Sequence, residues 1–425
     1  MFHQGLKDSR SAWVSSVLAF ALFPAFSTSC ASGPRAIATI QVDAGEHARI
    51  DTPMSLALAE IGHDLTKGGF RLEEVKGAGR TPAPAQISAG DSPRLCWILS
   101  GATPAGRTRT FELVEGDSTP APEIRIVKDD KALEIRQGDA KVLQYNYAPV
   151  PPPDGVDPIY TRSGFIHPLW SPAGAVLTRI HPPDHYHHLG IWNPWTLTKF
   201  EGRNVDFWNL KSGQGTVRFV RFASEESGPV FGGFQAIHEH VNLNAPGGEK
   251  AALIEEQGVR VWNTRGAREA AWLWDFTSTQ RCASSNPLHL LKYRYGGFGF
   301  RGTADWKEGN SDYLTSEGKT RKDGHGTRAR WCMVYGETSK GPAGVLFMSH
   351  PGNRSHPEPM RIWPEGDVFF NFCPIQQEDW TLEPGNDYAL RYRMVVYDGE
   401  ISTETAERFW TDFGDPPKVE VAGRD

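Results

Sequence analysis

Between residues 160 and 397 the chain reads as one strand after another, with almost no apolar repeat at helical spacing. Thr216-Val-Arg-Phe-Val-Arg-Phe222, Ala271-Trp-Leu-Trp-Asp-Phe-Thr277 and Tyr388-Ala-Leu-Arg-Tyr-Arg-Met-Val-Val-Tyr397 are rich in aromatic and branched residues, and several such runs alternate polar with apolar. Side chains with period 2 suit a pleated surface buried on one face and cannot form an amphipathic helix. No repeat of propeller length recurs, so the pattern predicts an all-β fold, a large two-sheet β-sandwich over 143–400. A smaller accessory β-domain is expected over 33–142, where short alternating runs are broken by Gly, Pro and Asp. Residues 401–425 read as a C-terminal helix and tail, the helix starting near Thr403.

The first 32 residues have another texture. Lys7 and Arg10 precede an apolar run from Ala12 to Phe26, followed by the small residues 27–32. That order is a secretory signal, which places the mature protein in the periplasm or cell envelope. Cys30 sits where a lipoprotein carries its lipid, and lipidation and plain cleavage both fit. Cys96, Cys282, Cys332 and Cys373 form no Cys-x-x-Cys pair, so no zinc ribbon or thioredoxin-type site is expected. Cys332 and Cys373 lie in apolar runs and read as buried thiols. A net charge of −6 gives no footprint for nucleic acid. Contact with a membrane is expected only through a lipid anchor.

One stretch concentrates chemistry. After Pro182 and Pro183, residues Asp184 to His188 hold a carboxylate and three histidines, and Gly190, Ile191 and Trp192 follow. A proline pair cannot sit in a helix or a central strand, so this is a stiff loop feeding a strand. If extended, His185 and His187 share one face and His188 takes the other. A His-x-His pair can begin a divalent-metal site, and His238 and His240, a second such pair, are the candidate partners. Without metal the same imidazoles can act as general acid or base.

Arg162 offers a donor fork to a carboxylate or sugar hydroxyls, and His167 precedes a proline nearby. Trp192 and Trp208, with Asp206 between them, have the composition of a sugar cleft, with flat faces for a ring and polar edges for hydroxyls. Glu317 and Arg328 sit beside turn signals, and His350 and His356 mark a second proline-flanked loop. No Gly-x-Ser-x-Gly elbow, Walker loop or His-Glu-x-x-His is present, which argues against a serine hydrolase, a nucleotide enzyme or a zincin.

These motifs occur in a fixed order. The segments 160–169, 182–192 and 205–208 are followed by Tyr295-Gly-Gly-Phe, Ser316-Glu-Gly, 328–331, His350-Pro-x-Asn353 with His356-Pro, and 390–399. Together they resemble the bacterial "methane oxygenase PmoA family" over roughly residues 145–399. The resemblance implies an exported β-sandwich with its site at Arg162, His167, Asp184, His185, His187 and His188, and it adds Asn353 to the binding candidates. Tyr186 and Leu189 stand where that family has Pro and Arg.

The sequence thus supports three functions. The first is an exported carbohydrate-active enzyme, hydrolase or lyase, on a large β-sandwich that resembles the galactose-mutarotase supersandwich type, with the histidine loop and Asp184 as catalytic groups, Arg162 and Glu317 orienting the substrate, and Trp192 or Trp208 stacking on a sugar. The second is a non-catalytic glycan-binding lipoprotein. The third is a metal-dependent oxidoreductase using His185, His187, His238 and His240.

Overall fold

The computed structural model describes residues 36–65, 67–88, 90, 92–116, 120–264 and 271–423. The expected signal segment and Cys30 lie outside the described residues. Strand accounts for 52% and helix for 6%, so the protein is all-β.

Two eight-stranded antiparallel sheets form the main sandwich. The first runs, in spatial order, Met360–Ile362, Phe369–Phe372, Gly299–Arg301, Ile191–Trp192, Phe165–Leu169, Ala140–Asn146, Ala132–Gln137 and Ile124–Lys128. The second has longer strands: Gly215–Glu226, Phe231–Asn242, Lys250–Trp262, Ala271–Cys282, Tyr388–Asp398, Gly341–Ser349, Trp331–Thr338 and Ser311–Thr315. Period-2 alternation sends Ile166, Ile191, Phe300 and Phe370 of the first sheet against Ala236, Val261, Phe276 and Phe347 of the second, all buried in one cluster. Each such Ile, Val or Phe side chain stabilises the fold by about 1.5–3 kcal/mol when fully buried.

The outer face of the long sheet is covered too. Trp331, Leu346, Met348 and Val395 pack there with Ala406 and Phe409 of the helix Thr403–Gly414 and with Cys96 of the N-terminal region. The helix starts at Thr403, where its sequence suggests, and its cap is the residue before. The Ser402 hydroxyl, not Thr403, accepts the Thr405 N–H at 3.2 Å and satisfies one of the first-turn donors.

Two smaller sheets, of five and three strands, make up the N-terminal part. Two details depart from the expected boundaries. Strands Ile124–Lys128, Ala132–Gln137 and Ala140–Asn146 belong to the main sandwich, so its sheet begins before residue 142. The C-terminal tail also returns, as strand Lys418–Val421 pairs with Ala36–Asp43. The described residues from Ala36 on gather as one compact unit. The four described cysteines are free thiols.

Candidate active site

Register decides which residues face out from the first sheet. Ile191, Phe300, Phe370 and Ile362 form one cross-strand row, and all four enter the core. The next row is Trp192, Gly299, Asn371 and Arg361, which therefore lies on the opposite face. Arg301, paired with Phe369, shares that outer face. Gly299 is required there, because a Cβ would sit 2.7 Å from the Trp208 ring that covers it.

Over this face folds the histidine loop, turned rather than extended. The His185 N–H donates to Pro182 O at 2.9 Å, and the His188 N–H donates to His185 O at 2.9 Å. The His181 N–H then closes the loop on His188 O at 2.9 Å. Turns bring i and i+3 together, so it is His185 and His188 that stack, at 4.6 Å and 22°. His187 lies edge-on to His188 at 4.8 Å. Gly190 ends the loop at φ +67°, and a Cβ there would meet Ile166 O at 2.2 Å, so both conformation and space call for glycine.

Asp184 is the hub. Its two oxygens accept from Arg301 Nη2 at 2.9 and 2.7 Å, and one also bonds His185 Nδ1 at 3.0 Å. Burial works to raise this carboxyl, but the His185 and Arg301 bonds prevail and hold it below its ordinary value. Arg301 itself is 0% exposed. Its Nη2 reaches Asp367 at 2.7 Å, its Nη1 faces His188 Nδ1 at 3.4 Å, and its guanidinium lies 4.7 Å from the Trp363 ring centroid. Arg179 and Lys307 complete the charge balance on Asp367.

The dyad remains open to solvent, with the Asp184 side chain 41% and His185 38% exposed. Among the described residues, His185 Nδ1 is bonded to Asp184 and its Nε2 meets no hydrogen-bond partner. Burial, then His185 and two arginines, push His187 down to about 3, and burial holds His188 well below the usual histidine value. Both are neutral imidazoles at physiological pH.

Other sequence candidates hold the frame instead. Arg162 is 3% exposed, and its Nη1 donates to Phe207 O at 3.0 Å, so it presents no open fork to a substrate. Burial pushes it down to about 10, against the pull of Glu255 and Asp206. His167 is bonded through Nδ1 to the Thr178 hydroxyl at 2.9 Å and is pushed by burial to about 4. Trp192 and Trp208 are at most 1% exposed and 4.8 Å apart. They pack behind the His188 ring and cannot stack on a sugar. Asp206 caps its own turn, accepting from the N–H groups of Trp208 and Asn209 at 2.9 and 2.8 Å.

The four-histidine metal set does not assemble. His238 and His240 do share a strand face, but it points between the sheets, where register sets His238 opposite Glu255. Both rings turn to one carboxylate oxygen, at 3.5 and 3.0 Å, and His238 also meets the Tyr145 hydroxyl. Asn193 and Ser278 donate to the other Glu255 oxygen at 2.8 and 2.6 Å. His185 and His187 lie on the outer face with different partners. Among the described residues no group of three His, Cys, Asp or Glu side chains is placed to hold a metal ion.

The 350–358 loop is likewise a separate structure. Asn353 Nδ2 donates to Glu358 at 3.0 Å and to Arg391 O at 2.8 Å. Arg328 Nη1 clamps Ser355 O and Pro357 O at 2.6 and 2.9 Å. His350 caps the Gly352 N–H at 2.9 Å, and His356 lies parallel to Trp410 at 6.2 Å. All of this surrounds the buried Glu358, which sequence reading passed over. Glu317 is an exposed turn residue accepting from its neighbour Ser316 at 3.0 Å.

Sequence reading also missed Arg301, Asp367 and Trp363. Arg301 ends the glycine-laced run from Tyr295, where alternation with Gly299 was the available signal.

Comparison with known proteins adds a family. A model described as "Family of unknown function (DUF6807)" matches residues 132–411. No curated protein matches the chain. Among solved structures, one similar chain is a protein in the glycosyl hydrolase family 38 from Enterococcus faecalis, at 8% identity and TM-score 0.39, covering 91% of this chain and 48% of that one. This protein thus spans about half its length. Another is a galactose mutarotase related enzyme from Lactobacillus acidophilus, at 10% identity and TM-score 0.27, covering 66% of this chain and 99% of that one.

Proposed function

The chain belongs to the DUF6807 family, whose function is unknown, and we propose that it is an exported carbohydrate-active enzyme working by proton transfer. The observation that carries this reading is the solvent-open Asp184–His185 dyad locked by Arg301. A carboxylate at Nδ1 fixes the imidazole proton there and leaves the Nε2 lone pair free to take a proton. Asp184 then stabilises the imidazolium that forms, while Arg301 keeps Asp184 ionised and in place. Neutral His187, 5.5 Å away ring to ring, supplies a hydrogen-bond partner for a hydroxyl.

The geometry favours a lyase or isomerase type of step over two-carboxylate hydrolysis. Asp184 and Asp367 both bond the same Arg301 nitrogen, and both are held below the ordinary carboxylate value. A glycosidase acid needs a raised one. Export is supported by the signal-like order of residues 1–32. No helix among the described residues is long and apolar enough to cross a membrane.

The test is a product screen over acidic and neutral saccharides, with binding measured in parallel. His185→Asn and Asp184→Asn are expected to lower turnover by about 10²–10⁴-fold while leaving binding in place. Wild-type protein that binds saccharide without turnover would favour the glycan-binding reading, and variants as active as wild type would refute the dyad.

A further inference from the structure

The site face continues past Trp363 to two arginines that meet no acid. Arg361 lies in the outward row with Asn371, Gly299 and Trp192. It stands two residues before Trp363, a strand spacing of about 6.7 Å, and Trp363 touches His185 at 5.0 Å. Arg294 adjoins Tyr295 in a loop pinned by Asn371, whose Oδ1 accepts the Gly296 N–H at 3.2 Å and whose Nδ2 donates to Phe298 O at 2.7 Å. The Arg294 and Arg361 guanidinium carbons lie 5.6 and 5.8 Å from the Tyr295 ring centroid.

Neither arginine has an ion pair or a side-chain hydrogen bond among the described residues. Arg301, Arg179 and Arg393, by contrast, all hold carboxylates. Arg361 is half-buried, and burial and then Arg294 push it below its ordinary value. His325 feels Arg361 in turn. Asp206, the acid whose charge reaches Tyr295, is occupied in its own turn. Unbalanced positive charge held on an aromatic face is a ready seat for an anion that carries an apolar ring.

We propose that Arg294 and Arg361 form an anion subsite on the Tyr295 ring, taking the carboxylate or sulfate of an acidic saccharide whose neighbouring part reaches the Asp184–His185 dyad. The proposal rests on the carbohydrate reading above and names its substrate class. Planar guanidinium forks match either oxyanion.

Calorimetric titration of the intact chain tests it. The probes are an oligogalacturonate, a sulfated galacto-oligosaccharide and a neutral galacto-oligosaccharide of equal length, at low and high salt. At least one acidic probe is expected to bind ~10-fold or more tightly than the neutral one, with the advantage shrinking in salt. Which acidic probe shows it assigns carboxylate or sulfate. The Arg294→Gln/Arg361→Gln variant should lose that advantage and keep its melting temperature and affinity for the neutral probe. Equal binding of all three probes, no binding, or an advantage that survives in the variant would overturn the subsite. Turnover of the neutral probe that depends on His185 but shows no acidic preference would sink the subsite alone. Arginine-dependent binding without turnover would sink the enzymatic reading alone.

Discussion

Arg301→Met offers the sharpest test of the site's architecture. Methionine keeps the apolar stem beside Trp363 but removes three bonds to carboxylates, two to Asp184 and one to Asp367. Breaking one partner of a fully buried pair costs about 3–5 kcal/mol. Asp184 is 41% exposed and recovers part of its solvation, and Asp367 keeps Arg179 and Lys307. The expected loss is therefore about 3 kcal/mol, a fall of about 3–4 °C in melting midpoint for a chain of this size. The acid limb carries a second signature. Asp184 and Asp367 are held below 3.8 in the fold, so their contribution is present above pH 3.8 and is lost as pH falls through their lower folded values. Without Arg301 they move back toward 3.8, and the stability curve flattens in that window. Denaturation midpoints at pH 7, 5, 4 and 3, for wild type, Arg301→Met, Asp184→Asn and the double variant, measure both effects. A variant within about 0.5 kcal/mol of wild type at pH 7, or one with an unchanged acid slope, would refute the claim that Arg301 organises the loop.

Gly190→Ala should cost more than 3 kcal/mol, since it adds positive-φ strain to a 2.2 Å clash with Ile166 O, and a melting scan reads it directly. Glu358 is pushed by burial from 4.5 up to about 7, so it favours folding below pH 4.5 and loses that contribution as pH rises through about 7. Glu358→Gln should therefore gain up to about 3 kcal/mol on wild type between pH 5 and pH 8 in urea titrations. His187, at about 3, stays neutral above pH 4, so His187→Asn is expected to lower turnover without moving the acid limb of the rate profile. Elemental analysis should find the same sub-stoichiometric metal in wild type and in His185→Ala/His187→Ala, because the two histidine pairs share no ligand set. Stoichiometric metal lost in the variant would contradict that geometry.

The strands were legible because their alternation is a local property. The runs around Phe276 and Val396 place apolar side chains on one face whatever they pair with, and the helix Thr403–Gly414 announced itself by composition. The loop was legible as a cluster, since Asp184, His185, His187 and His188 are neighbours in sequence. Its shape was not, because Pro182 and Pro183 fit an extended or a turned continuation, and the choice is made by two turn bonds between residues three apart and one closing bond from His181 to His188. Arg301 and Asp367 escaped for a different reason. They lie 117 and 183 residues from Asp184 in the chain, and only the pairing of Gly299–Arg301 with Phe369–Phe372 brings them beneath it. Register of that kind depends on the whole sheet.

The two His-x-His pairs show how one signature divides into two roles. On Phe231–Asn242 the pair faces inward, where an isolated carboxylate would be costly. There His238 and His240 prevail over burial and hold Glu255 well below the carboxylate range. That anion in turn takes the Asn193 amide, directly after Trp192, and so pins the first sheet to the second beside the point where the histidine loop enters its strand. The loop's own histidines sit on the far side of that strand, where solvent reaches them. The buried pair thus fixes the sheet that the exposed dyad stands on, and the open nitrogen of His185, not the buried Nδ1 of His240, is the one a substrate can reach.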